Sequence, residues 1–109
     1  MVDEMVITYI DRTTLRGKAG MVRMWWLVDY QLVQVTNEKG YFSRVQHSEF
    51  DCKWQRSRLL SVTLLSQQMG QGQAVFEDPL PRKWESVLAQ PFQRALWDIA
   101  CVDHQAARG

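Results

Sequence analysis

The sequence predicts an α+β fold, a curved antiparallel sheet of about five or six strands with one C-terminal helix packed on it. Three stretches predict it. Met21–Tyr30 (MVRMWWLVDY) is apolar or aromatic apart from Arg23 and Asp29, and it holds no Gly or Pro. Its Val, Trp and Tyr suit a pleated strand. In Ser57–Ser66 (SRLLSVTLLS), Leu60, Val62 and Leu64 alternate with Ser61 and Thr63, the period of a half-buried strand. Pro91 opens a third stretch, in which Phe92, Ala95, Leu96, Ile99 and Ala100 recur at helical spacing. At 109 residues and 46% hydrophobic content the chain reads as one domain, 1–109, with a real core. Residues 1–4 and 103–109 read as disordered ends.

In chain order, Met5–Ile10 forms a first strand. Asp11–Thr14 suits a turn, because Asp and Thr side chains bond nearby backbone N–H groups. Gly17 and Gly20 bracket a turn into the central strand. That strand sets Val22, Met24, Trp26, Val28 and Tyr30 on one face and Met21, Arg23, Trp25, Leu27 and Asp29 on the other. Both faces are largely apolar, so both are expected to be covered in part. Gln31–Thr36 reads as a loop or edge segment and Asn37–Gly40 as a reversal. Tyr41–Cys52 is a long strand with Phe42, Phe50 and Cys52 on one face. Its other face, with Tyr41, Val45, His47, Glu49 and Asp51, is wetter. Lys53–Arg56 is a polar hairpin tip leading into Ser57–Ser66. Gln67–Gln73 is a loop and Ala74–Glu77 a short strand, broken by Asp78–Pro81 (DPLP) because proline cannot donate to a ladder. Arg94 and Asp98 form an (i, i+4) pair on the outer side of the helix, which ends near Val102.

Charge excludes some functions. Thirteen basic and twelve acidic residues give a formal charge of +1, without the basic stripe that phosphate contacts require, so no nucleic-acid partner is expected. Asp3 and Glu4 lie where a leader would be basic. Cys52 and Cys101 belong to no C-x-x-C motif. A bridge between them would close a loop of roughly 50 residues and contribute about 4 kcal/mol; two separate buried thiols are the other reading.

No constellation supports catalysis or a cofactor. Cys52 and His47 stand at odd separation on one strand and so face opposite ways. No strand–turn–helix elbow surrounds a serine, and Gly70-x-Gly72 is too short to cradle a phosphate. His47, Cys52, Cys101 and His104 compose a Cys₂His₂ set, but lack the two close-spaced pairs of ordinary zinc sites. Glu49 and Asp51 share a face and are expected to meet Arg56 or Arg58 across the hairpin. Trp25 and Trp26 point to opposite faces, and one of them is core. Trp84 and Trp97 are expected beside the helix. Trp54, at the tip with Lys53, Arg56 and Arg58, has the composition of a protein-binding hot spot; alternatively it folds back over the sheet edge.

Several stretches, taken in order, resemble the surface-adhesin protein E family of Gram-negative bacteria. They are Tyr9–Asp11, Val22–Trp25, Leu27–Tyr30, Ser43, Glu49–Cys52, Arg56 or Arg58, Gly70 and Gly72, Trp84 and Leu96–Cys101. The resemblance covers nearly the whole chain. It implies a Cys52–Cys101 disulfide tying helix to sheet. On an ideal helix Cys101 points away from Phe92, so this bridge asks the last turn to unwind or the helix to bury two sides. The resemblance also implies export to the periplasm or outer-membrane surface, with membrane attachment only through a removed leader or lipid anchor. It implies non-catalytic binding of a protein partner such as a host matrix protein, and pairing as a homodimer. An envelope-maintenance protein without a host ligand and a periplasmic small-ligand or metal binder are the alternatives. The Gln90–Pro91 helix start and the Lys53–Arg56 tip depart from the family pattern.

Overall fold

A computed structural model describes residues 5–79 and 81–103. Among these lie six strands, β1 (Val6–Lys18), β2 (Met21–Thr36), β3 (Lys39–Asp51), β4 (Arg56–Leu65), β5 (Ala74–Asp78) and β6 (Glu85–Ser86). Helix α1 (Pro91–Trp97) follows and runs on into a π-helical turn, Asp98–Asp103. The sheet is an antiparallel meander in the order β1-β2-β3-β4-β5, and β6 pairs with the opposite end of β4. The first two hairpins close on two residues each, Ala19–Gly20 and Asn37–Glu38, all four at positive φ. That geometry matches the right-handed twist of the strands it joins.

The alternation of β2 decides which face is inside. Val22, Met24, Trp26 and Val28 are buried, and Arg23 and Trp25 are exposed. Trp26 is therefore the core tryptophan. Its indole N–H donates to Ser48 Oγ on β3 at 2.9 Å, which satisfies a donor that burial would otherwise strand. Leu96, Trp97, Ala100 and Cys101 of the helical segment, with Phe50, Val87 and Leu15, complete this core.

Several expectations need correction, and each has a local cause. Asp11–Thr14 does not turn the chain but makes an irregularity inside one continuous strand, between Asp11 and Arg16. The expected chemistry is present: Asp11 Oδ1 accepts from the Thr13 amide and hydroxyl, and Thr14 Oγ1 donates to the Asp11 carbonyl. Gln31–Thr36 remains in β2, because after a second irregularity Gln34–Thr36 pairs with Lys39–Tyr41. In β4 the register slips between His47 and Ser48 of its partner, so Leu59 rather than Leu60 packs on the core. The face of β3 read as wet buries Glu49 and Asp51. Phe92 sits at the rim, tilted over Trp26 with ring centroids 5.5 Å apart. Trp84 is not beside the helix but on the opposite face, against Arg56 and Arg58.

The disulfide is formed: Cys52 and Cys101 are bonded, with Cα atoms 5.4 Å apart. Of the two expected routes the structure takes the first, in part: the last turn under-winds without losing helical form. That turn widens to π geometry, whose i→i+5 bonding advances less than 100° per residue. Leu96, Trp97, Ala100 and Cys101 thereby all face the sheet. Beside the bridge, the Trp97 indole donates to the Asp51 carbonyl at 3.0 Å, and the Cys52 amide donates to the Gly20 carbonyl at 3.0 Å.

The loop after β4 is also fixed. Ser43 on β3, fully buried, donates to the Gln67 carbonyl at 2.6 Å and accepts from the Gly70 amide at 3.0 Å. Asp29 Oδ1 accepts from the Met69 amide at 2.8 Å. Gly72, at φ +85°, lies so close to Ser66 that a Cβ would fall 2.3 Å from its hydroxyl. This loop covers Leu27 and Val45, which explains why both faces of β2 are apolar.

The bridge closes a separation of 49 residues, so Cys52→Ser with Cys101→Ser is expected to lose about 2–5 kcal/mol of unfolding free energy. Urea unfolding of the double variant against the oxidised chain measures it. Thiol titration of the denatured wild type should find no free cysteine.

Candidate functional site

The face of the sheet away from the helix carries a ladder of charges near the β3–β4 tip. Glu49 lies opposite Arg23 on β2 and Arg58 on β4. Its two oxygens are divided between them. Arg23 Nε donates to Oε2 at 3.1 Å, and Arg58 donates to Oε1 through Nε and Nη2 at 2.9 and 2.7 Å. Asp51, opposite Arg56, accepts from Arg56 Nε at 2.9 Å and from the Lys53 and Trp54 amides at 3.1 and 3.2 Å. Asp51 thus shapes the tip as well as pairing across it. Trp84 lies over both guanidiniums, 4.7 Å from Arg56 and 4.6 Å from Arg58, in cation–π geometry.

Burial alone would push the Glu49 carboxyl above its ordinary pKa. The hydrogen bonds and charges of Arg58 and Arg23 outweigh burial and hold it below. Asp51 behaves alike: burial raises it, and Arg56 with the Trp54 and Lys53 amides brings it below the usual range. Both are therefore carboxylates at neutral pH. Two carboxylates meet three guanidiniums here, and Lys53 adds another positive charge, so this end of the molecule is basic on a chain of formal charge +1.

The tip residues divide into two pairs. Trp54 is 67% exposed, with Lys53 Nζ 5.6 Å from its ring centre. It does not fold back over the sheet. Arg56 and Arg58 are only partly exposed and are committed to Asp51, Glu49 and Trp84. The tip therefore presents Lys53 and Trp54 on a base braced by the two arginines. Sequence reasoning missed Arg23 and Trp84 as members of this cluster. The parity that places Arg23 with Trp25 could have found the first, but no local signal marks the second.

Midway along the same face, Trp25 stacks flat on His47, rings 4.2 Å apart and 2° from parallel. Burial lowers the His47 pKa and Arg23 lowers it further, against a smaller opposing effect of Glu49. His47 lies across the sheet from the bridge, and both thiols are held in the disulfide. His104 lies outside the described residues. Among the described residues no three His, Cys, Asp or Glu side chains converge on a metal position.

The surface-adhesin protein E family matches residues 1–102 of the sequence. The chain belongs to that family. Membership carries a non-catalytic binding role on a disulfide-linked sheet. Solved structures of protein E share the fold. Haemophilus influenzae protein E in crystal form II superposes with a TM-score of 0.72 at 14% identity, over 94% of this chain and 91% of that one. Protein E from non-typeable Haemophilus influenzae gives 0.73 at 16% identity, over 98% of this chain and 82% of that one. No curated protein sequence matches this chain.

Glu49→Gln keeps the shape and removes the charge that joins Arg23 to Arg58. A loss of about 1–3 kcal/mol is expected at pH 7. Because the folded-state pKa lies below the unfolded value, this contribution is present above the ordinary carboxylate range and is lost as pH falls through the folded pKa. Urea melts of wild type and variant should therefore differ at pH 7 and converge toward pH 3.

Proposed function

We propose that this chain is an exported domain that holds a protein partner on the β3–β4 tip, with Lys53 and Trp54 as the contact and Arg56 and Arg58 as its support. The exposure of Trp54 carries the reading. A large aromatic side chain stands in solvent on a hairpin whose next residues are fixed by a disulfide, a buried carboxylate and two ion pairs. Interface hot spots are enriched in Trp and Arg, and binding loses less entropy when the contact is already rigid. The basic surroundings favour an acidic patch on the partner.

The partner class is a host matrix protein, and the location is the outer-membrane surface with a lipid anchor. Both rest on family membership. A homodimer would form along the outer edge of β1 over Val6–Ile10. Arg12, Arg16 and Lys18 follow on that strand, and charged residues on an edge oppose further pairing.

Trp54→Ala should weaken binding to an immobilised matrix protein by about tenfold or more, the scale of a hot-spot residue. The melting temperature should stay within about 2 °C, since the ring is exposed and exposed positions contribute little to stability. Surface plasmon resonance beside thermal melts measures both. Unchanged affinity would remove the tip from the function, and a collapsed melt would return Trp54 to a structural role.

A further inference from the structure

We infer that the cleft between the edge of β4, residues 82–85 and α1 is a binding site for one tetrahedral oxyanion, a phosphate or sulfate group. This site lies on the edge of the sheet beside the hairpin tip and shares only the wall residue Arg58 with it. The β4 edge is shared by two short strands: β5 pairs with Val62–Leu65 and β6 with Arg56–Ser57. Between them one bond, Arg82 N–H to the Leu59 carbonyl at 2.8 Å, ties the chain to the edge. The edge opens there into a cavity of about 140 Å³. That is room enough for an ion of five heavy atoms.

The lining is rich in donors. Ser48 and Ser57 are 3% and 7% exposed. Ser48 Oγ accepts the Trp26 indole N–H, and its own hydroxyl hydrogen has no acceptor among the described residues. Ser57 reaches Gln93 Oε1 only at 3.5 Å, the outer limit for a hydrogen bond. Two buried hydroxyls so poorly paired carry a desolvation cost. An oxyanion, with acceptors on every side, would satisfy both. The Gln93 carboxamide can present its N–H₂ to the same point by an end-for-end flip.

Charge selects the sign of the ligand. Arg58, Arg82 and Lys83 line the cleft, opposed by one lining carboxylate, Glu85, and Arg58 is already committed to Glu49. Arg82 is anchored by Asp78 at 3.0 Å. Lys83 makes no ion pair or hydrogen bond among the described residues, so its ammonium is free to swing over the opening. Buried hydroxyls and cations together form the donor set of a phosphate or sulfate site. The volume accommodates the free ion or the head of a small phosphomonoester.

Titration of the ¹⁵N-labelled chain with inorganic phosphate, and separately with glycerol 3-phosphate, tests the site by two-dimensional NMR. Sodium chloride of equal ionic strength is the reference. Saturable shifts confined to Ser57, Lys83, Gln93 and their neighbours are expected. Lys83→Gln should weaken binding about tenfold, and Lys53→Gln, at the hairpin tip, should leave it unchanged. Ser57→Ala tests the floor; if that variant does not fold, the exposed Lys83→Gln variant decides. Tighter binding of glycerol 3-phosphate would assign the site to an esterified phosphate, and tighter binding of inorganic phosphate to the free ion. Shifts that chloride reproduces, an equal loss in Lys53→Gln, or full affinity in Lys83→Gln would each overturn the site.

Discussion

The junction of Asp51 and Cys52 with Trp97 and Cys101 is the constraint on which the rest of the molecule depends. Within two residues the end of β3 accepts the Trp97 indole, bonds to Cys101, donates its amide to the first hairpin at Gly20 and, through the Asp51 carboxylate, organises the following tip. A helix of seven residues with no side-chain cap at its start is too short to be stable alone. Its position comes from this attachment and from the apolar face of Leu96 and Ala100. The same attachment makes the tip rigid, so one set of contacts serves both the core and the exposed tryptophan.

The two faces of the sheet solve different problems. The helix side is closed by apolar packing around Trp26 and Phe50. The other side is closed by polar devices: a loop pinned by Ser43 and Asp29 at one end, and the Glu49 ladder under Trp84 at the other. Many residues that carry the family likeness belong to these devices. Ser43, Gly70, Gly72, Glu49, Asp51, Trp84 and Cys101 each hold backbone or another side chain in place. The likeness is therefore a record of how the fold is built.

Much of this was legible in the sequence. Alternation in Met21–Tyr30 marked the central strand, and helical spacing after Pro91 marked the helix. The carboxylates at Glu49 and Asp51 pointed to arginines across the hairpin. Three things were not legible, for physical reasons. Register irregularities, at Asp11–Arg16 and in β4, invert parity without changing composition, so Leu60 rather than Leu59 read as buried. Parity separates Trp25 from Trp26 but does not say which face the helix covers. The partner of Trp84 is brought by a crossing from a distant segment, which no local pattern records. The serines of the β4 edge read only as the polar half of an alternating strand, because their significance lies in what a later segment leaves open beside them.

The π-helical turn has a consequence for which length changes the chain tolerates. It works as a phase adjuster, delivering a sulfur that an ordinary helix would aim elsewhere. Insertion or deletion of one residue between Leu96 and Cys101 would rotate the thiol off its mate by about a quarter of a turn. The tip at Lys53–Gln55 is held differently, by the Lys53 and Trp54 amides on Asp51 and by the Val87 amide on the Gln55 carbonyl. The span from Leu96 to the cysteine is held to a fixed count by the bridge it has to reach.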